Sequence, residues 1–243
     1  MKETILSVNN LTKIYSKGTK GETKALDNVC FELSNSEITG LIGPNGAGKT
    51  TLIRIIMGFD KPDSGTVSFL GKPTTELSVR NLIGYQSDLQ FRSKYMTLFS
   101  YLKFHCEIRE LFNFDDKIME LLRYFNLQSS ADKNLSALSK GMRQKAELVA
   151  AFVVNPKLLI FDEPTAALDP PSVFELRDFI MNYKKTGATI IFSSHHLTEV
   201  EKICDRVLFI QSGQIISDIN TSKTESGFME EAFRKYETER RFL

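Results

Sequence analysis

The stretch Leu41-Ile42-Gly43-Pro44-Asn45-Gly46-Ala47-Gly48-Lys49-Thr50-Thr51 limits the possible folds more than any other part of the chain. It satisfies G-x-x-x-x-G-K-[ST] between an apolar run, Ile38 to Ile42, and a segment where Leu52, Ile53, Ile55 and Ile56 recur at helical spacing. A strand that turns sharply into a helix brings backbone N–H groups and the positive end of the helix macrodipole to one point, which attracts phosphate. Gly43, Gly46 and Gly48 let the loop curl with its N–H groups inward, and Asn45, Ala47 and Thr51 complete the cradle. Lys49 adds a compact positive charge and Thr50 a hydroxyl suited to Mg²⁺. Strand, loop and helix in this order set the pattern apart from an ordinary glycine-rich turn.

A chain of 243 residues can bury one large core with a subdomain attached. Its 31 lysines and arginines nearly balance 30 aspartates and glutamates, so the broad basic field of a nucleic-acid binder is missing and no nucleic acid is expected. No apolar run approaches the roughly 18 residues that span a bilayer, and Met1-Lys2-Glu3-Thr4 lacks the apolar core of a signal peptide. The expected location is cytoplasmic. Cys30, Cys106 and Cys204 are scattered without C-x-x-C spacing, which predicts reduced thiols and no metal role.

Residues 4 to 8 and 29 to 33 alternate as strands on either side of a polar loop at Gly18 to Glu22. Thr66 to Leu70 is a β-rich run, and Ile83-Gly84-Tyr85 is a short strand ending at Gln86. The pattern then turns helical, with Leu98, Tyr101, Phe104, Ile108 and Leu111 on one apolar face and Ile118, Leu121, Leu122 and Phe125 on another. Ser139 stands at the N-cap of a helix that carries Met142, Ala146, Val149 and Val153 inward until Asn155-Pro156. Leu158 to Phe161 is apolar throughout, as in a parallel strand covered on both faces, and it ends in Asp162-Glu163-Pro164. A helix from Asp169-Pro170-Pro171 to about Lys185, a strand from Ala188 to Phe192 and the polar run Ser193-Ser194-His195-His196 follow. Arg206 to Ile210 and Gln214 to Ser217 form a hairpin, and a charged amphipathic helix closes the chain at about 226–243. The fold expected is α/β: one domain over residues 1–243 with a P-loop NTPase core and a mainly parallel sheet. An N-terminal antiparallel β subdomain and an inserted α-helical subdomain at about 88–138 complete it. Ligands of such sheets sit at the carboxyl ends of the strands.

Two acids ending a buried strand beside a phosphate cradle suit a nucleotide hydrolase. Asp162 can hold Mg²⁺ directly or through water, and Glu163 can polarise an attacking water. No N-K-x-D stretch for guanine is present, which speaks against a GTPase. Together these motifs resemble the nucleotide-binding domain of an ABC transporter over nearly the whole chain. Gly43 to Thr51 is similar to that family's Walker A motif, Leu158 to Glu163 to its Walker B, and Gln86 to its Q-loop. Leu138-Ser139-Lys140-Gly141-Met142 is similar to its signature, Ala167-Leu168-Asp169 to its D-loop, and His195 to its switch histidine. Tyr15 falls where an aromatic residue stacks on adenine in the family.

The resemblance implies that Glu163, His195 and Gln86 serve catalysis, that Thr50, Gln86 and Asp162 hold Mg²⁺, and that Ser139, Gly141 and Asp169 act across a dimer. The signature departs from the common L-S-G-G-Q at Lys140 and Met142, yet keeps Ser139 and Gly141. Ser139 and Asp169 can each equally be the N-cap of the helix that follows. Lys140 and Arg143 oppose the macrodipole from the first turn, which an anion there would relieve. The L-S-K-G-M form is similar to that of bacterial exporters of the drug and peptide self-immunity type, whose permease is a separate six-helix chain. What the resemblance implies is an ATP-binding and ATP-hydrolysing subunit, dimerising around two ATP with Mg²⁺ as a homodimer or a heterodimer. It would drive a membrane permease on another chain from the inner face of the cell membrane, with export the expected direction. A non-transport ABC ATPase acting mechanically in translation or DNA repair is the rival reading.

Overall fold

The computed structural model describes residues 3–87 and 94–221. The helix expected at about 226–243 lies outside the described residues, as do residues 88–93 at the start of the expected helical segment. In chain order, β1 (Thr4–Tyr15) and β2 (Thr23–Ser34) pair antiparallel around the polar loop. Both run well past the strands that alternation predicts. Register shifts between Val8 and Leu11 and again at Lys13, with Asn10 and Asn28 in the left-handed region at φ 49° and 51°, break the two-residue period. β3 (Ile38–Ile42) leads to α1 (Lys49–Ile56), and β4 (Ser64–Phe69) and β5 (Lys72–Pro73) complete an antiparallel sheet in the order β2-β1-β4-β5.

The second sheet is built from alternating strands and helices. After α2 (Leu77–Arg80) come β6 (Ile83–Gln86), α3 (Leu98–Glu107), α4 (Asp115–Tyr124) and α5 (Lys140–Val153). β7 (Leu158–Asp162), α6 (Pro170–Lys184), β8 (Thr189–Ser194), α7 (Leu197–Ile203), β9 (Arg206–Gln211) and β10 (Gln214–Asn220) follow. The strand order is β10-β9-β3-β8-β7-β6, parallel except for the β9–β10 hairpin. Every residue of β3, β7 and β8 is buried, because both faces of the sheet are covered. β7 divides its side chains by the pleat: Leu158 and Ile160 enter the core shared with α1 and the antiparallel sheet, while Leu159 and Phe161 enter the core shared with α5 and α6.

The helical segment differs from its sequence reading in one respect. Thr97 caps α3 by accepting the Ser100 N–H at 3.1 Å, and the buried face is Leu98, Tyr101, Leu102 and Cys106. Phe104 and Ile108, expected inside, are 48% and 63% exposed. α3 carries apolar residues on more than one face and ends at Glu107, so two stripes were available and packing against α5 selects the one through Leu102. The second face, Ile118, Leu121, Leu122 and Phe125, is buried as expected.

Phe152, near the end of α5, joins these layers. Its ring centroid lies 4.5 Å from that of Phe179 on α6, 5.5 Å from Phe161 on β7, 5.2 Å from Tyr183 and 6.2 Å from Phe125. Removing a ring that three layers enclose leaves a cavity they cannot all close. Phe152→Ala should therefore lower unfolding stability by about 3–5 kcal/mol, read as a lower guanidinium midpoint with an unchanged slope. A midpoint within error of the parent chain would show that this ring does not tie the layers together.

Candidate functional site

β3 delivers the chain to the loop at Gly43 and α1 receives it at Lys49. Gly48, the N-cap of α1, has φ 108°, a conformation that glycine adopts without strain. Gly43 is needed for space: an added Cβ would lie 2.2 Å from the carbonyl oxygen of Ile210. The back of the loop is held by distant segments. Gly213 N–H donates to the Ala47 carbonyl at 2.9 Å, and Asp27 N–H donates to the Gly213 carbonyl at 2.9 Å. Residues 43–48 are thus wedged between β2 and the β9–β10 turn. Lys49 is 7% exposed; its Nζ donates to the carbonyls of Gly43 at 2.5 Å and Pro44 at 3.3 Å and stands 3.9 Å from Glu163 Oε1. Burial pushes the Lys49 pKa down, and the charges of Glu163 and Asp162 act against that shift. A further anion in the loop would favour the charged ammonium in the same way.

The two acids are fixed by hydroxyls of neighbouring elements. Asp162, 3% exposed at the end of β7, accepts the Ser193 hydroxyl at 2.8 Å and the Thr50 hydroxyl at 3.2 Å. Ser193 Oγ also accepts the Glu163 backbone N–H at 3.1 Å. Glu163 itself is left-handed at φ 52°, a strained backbone for a non-glycine residue, and its Oε2 lies 2.8 Å from His195 Nδ1. The structure therefore brings Lys49, Thr50, Asp162, Glu163 and His195 into one connected cluster.

Gln86 is fully buried at the end of β6, level with Phe161 and one place short of Asp162. Its Nε2 donates to the Ser87 carbonyl at 2.7 Å, and its Oε1 is buried without a hydrogen-bond partner among the described residues. Tyr15 ends β1 and is 38% exposed. Its hydroxyl donates to Asp60 at 3.0 Å, and Asp60 in turn holds Arg54 of α1 through two bonds of 2.8 and 2.9 Å. That places the ring beside the helix that leaves the phosphate loop.

Ser139 is the N-cap of α5 and accepts the Met142 N–H at 3.2 Å. A hydroxyl oxygen that accepts one hydrogen bond keeps its own proton for donation, so capping and ligand contact are compatible. An added Cβ on Gly141 would lie 3.1 Å from the Ala167 carbonyl oxygen, and Gln144 Nε2 donates to the Pro164 carbonyl at 2.9 Å. The start of α5 thus rests on the 164–167 segment. Arg143 donates to the Leu138 carbonyl, which supplies a local reason for a cation in that first turn. Asp169 occupies the N-cap position of α6 in extended backbone, but its side chain makes no capping hydrogen bond. Among the described residues no hydrogen bond joins Ser139 or Gly141 to the 43–51 loop. Ser193 is a site residue that sequence reasoning did not single out; the signal was a serine at the β8 position in register with Asp162.

Comparison with known proteins agrees with this arrangement. A family model described as ABC transporter matches residues 26–166. Lantibiotic transport ATP-binding protein SrtF of Streptococcus pyogenes is 35% identical over 229 residues, covering 94% of this chain and 96% of SrtF. Methionine import ATP-binding protein MetN of Geobacillus kaustophilus is 34% identical over 223 residues, covering 87% of this chain and 64% of MetN. A solved structure described as the ATP-binding subunit of an ABC transporter superposes with a TM-score of 0.82 at 30% identity, covering 89% of this chain and 90% of that one. A chain with this loop, this acid cluster and these relatives belongs to the ABC transporter family, as one of its ATP-binding ATPase subunits.

Proposed function

We propose that this chain is the ATP-hydrolysing subunit of an exporter, closing with a second copy of itself around two ATP molecules. It drives a membrane permease carried on another chain and works at the inner face of the membrane. The hydrolytic part rests on the 2.8 Å contact between Glu163 and His195 beside the Lys49 loop. Export is supported by the L-S-K-G-M form at Leu138 to Met142 and by a relative whose name states export, Nod factor export ATP-binding protein I of Sinorhizobium fredii, 33% identical over 218 residues, covering 87% of this chain and 61% of that protein.

In this reading, the N–H groups of residues 43–51 and the Lys49 ammonium hold the phosphates, and the Tyr15 ring stacks on adenine. Glu163 is the general base. His195 engages its Oε2 and Ser193 fixes its backbone, so the carboxylate keeps one orientation toward an attacking water. Thr50 hydroxyl, Asp162 carboxylate and the unpartnered Gln86 Oε1 form a set of hard oxygen donors that fits Mg²⁺. When bound, Mg²⁺ neutralises part of the phosphate charge. Ser139 and Gly141 at the start of α5, with Asp169, meet the ATP held by the other copy. The described part of the helical subdomain, residues 94–138, receives the permease near Tyr95, which is 96% exposed. Among the described residues no helix is long and apolar enough to cross a membrane, so a spanning permease has to be another chain or lie outside them.

Lys49→Ala should weaken ATP binding and reduce phosphate release by at least about tenfold, since a buried charge on the phosphates is lost. Equal affinity and turnover in the variant would remove the loop from the reaction. Glu163→Gln keeps shape and hydrogen bonding but not basicity, so hydrolysis should fall by about 100-fold or more while ATP binding persists. Light scattering should then find a dimer with ATP, a monomer with ADP, and a monomer again when Ser139→Arg is added. A monomer at saturating ATP rules out closure of the chain with itself, leaving a heterodimer. A photo-crosslinker at Tyr95 should capture an integral membrane protein in native membranes. If it captures none while ATPase activity is intact, the soluble, non-transport reading takes precedence.

A further inference from the structure

Outside the acid cluster, a second set of contacts joins the same two strand ends. Thr165, two residues past Glu163, donates its hydroxyl to Glu199 Oε2 at 2.7 Å, and Ser194 donates to the same oxygen at 3.4 Å. Ser194 Oγ also accepts the His196 N–H at 2.9 Å. Glu199 lies in the first turn of α7, where a carboxylate also suits the helix macrodipole. His195 therefore stands between Ser194 and the start of a helix whose first turn is tied to the 163–168 turn. That turn is short and internally bonded: Ala166 N–H reaches the Glu163 carbonyl at 3.3 Å and Leu168 N–H the Thr165 carbonyl at 3.0 Å. The Thr165–Glu199 bond lies at the rim of an open pocket of about 310 Å³, bordered also by Leu168, Val173, Phe192, Thr198 and Ile203. Behind it Leu168, Val200 and Ile203 share one apolar core. The polar tie thus adds a directional contact at the edge of that packing.

We infer that Glu199 is a positioning residue for hydrolysis, holding the 163–168 turn and the His195 bend in one register through Thr165. This rests on the reading of Glu163 and His195 given above. Among the described residues Glu199 hydrogen-bonds to Thr165 and Ser194 and not to Glu163 or His195. It acts by fixing the turn that aims the Glu163 carboxylate and the bend that aims the His195 ring, so that segment 164–169 and His195 move as one body. Loss of the tie then leaves nucleotide binding intact and lowers the fraction of bound ATP that meets an aligned pair.

The test is steady-state ATP hydrolysis by the purified full chain, with nucleotide affinity and thermal midpoint measured for each variant. Glu199→Ala and Thr165→Val should each lower kcat by about tenfold with KM within about twofold, and the double variant should be no slower than either, as for two ends of one interaction. Glu199→Gln, which keeps an acceptor for the Thr165 hydroxyl, should recover kcat to within about threefold of the parent chain. Thr165→Val lies outside any helix and guards against a loss due only to a weakened α7. Parent-like kcat in Glu199→Ala, additive losses in the double variant, or a loss in affinity equal to the loss in kcat would each overturn the inference. Glu163→Gln runs alongside as the control for the parent reading: if it turns over normally the base is misassigned, whereas an inert Glu163→Gln beside a fully active Glu199→Ala defeats the positioning role alone.

Discussion

A carboxylate at the carboxyl edge of a sheet covered on both faces has to be hydrogen-bonded, because an unpaired buried charge costs several kcal/mol. Asp162 meets that requirement with hydroxyls from Ser193 and Thr50, one on the adjacent strand and the other on the helix that follows the phosphate loop. Satisfying one buried acid thereby fixes three segments that sequence separates widely. Glu163 inherits its place from the same arrangement, since its backbone N–H reaches the hydroxyl that serves Asp162. The strained φ of Glu163 persists because Ser193 and His195 hold both its backbone and its side chain.

The helices between β6 and β7 share this dependence at one remove. Their apolar residues join the core face of the parallel sheet through α5, whose Phe152 ring contacts α6 and β7. The first turn of α5 rests on the 164–167 segment just past the acids, through Gln144 and the close approach at Gly141. The helical segment and the turn that carries Glu163 are thus joined by direct contact.

Much of this was legible in the sequence because the determining signals are local. The loop pattern, the apolar β7 ending in two acids and the Ser139 cap each lie within a few residues and have one physical meaning. What was hidden depends on register between distant segments. Alternation in β1 and β2 is broken by bulges at Asn10 and Asn28, so only part of each strand could be read. α3 offers two apolar stripes, and nothing within it says which one α5 will cover. Ser193 and Glu199 gain their roles from strand pairing and from the close approach of α7 to the 163–168 turn, neither of which a one-dimensional pattern encodes. Tyr15 shows the same limit: its position at a strand end was evident, but its anchor at Asp60 was not.

The support behind the phosphate loop sets an order on how the protein can come into being. Residues 43–48 are backed by Gly213 and by the Ile210 carbonyl, which lie on the last hairpin of the described chain. A chain leaving the ribosome at about 5–20 residues per second holds its glycine-rich loop for many seconds before that hairpin exists. Until then the loop lacks the wall that shapes it. Competence to grip a nucleotide thus arises late in synthesis, and a truncated product ending before β9 carries the whole 43–51 pattern without its supporting wall.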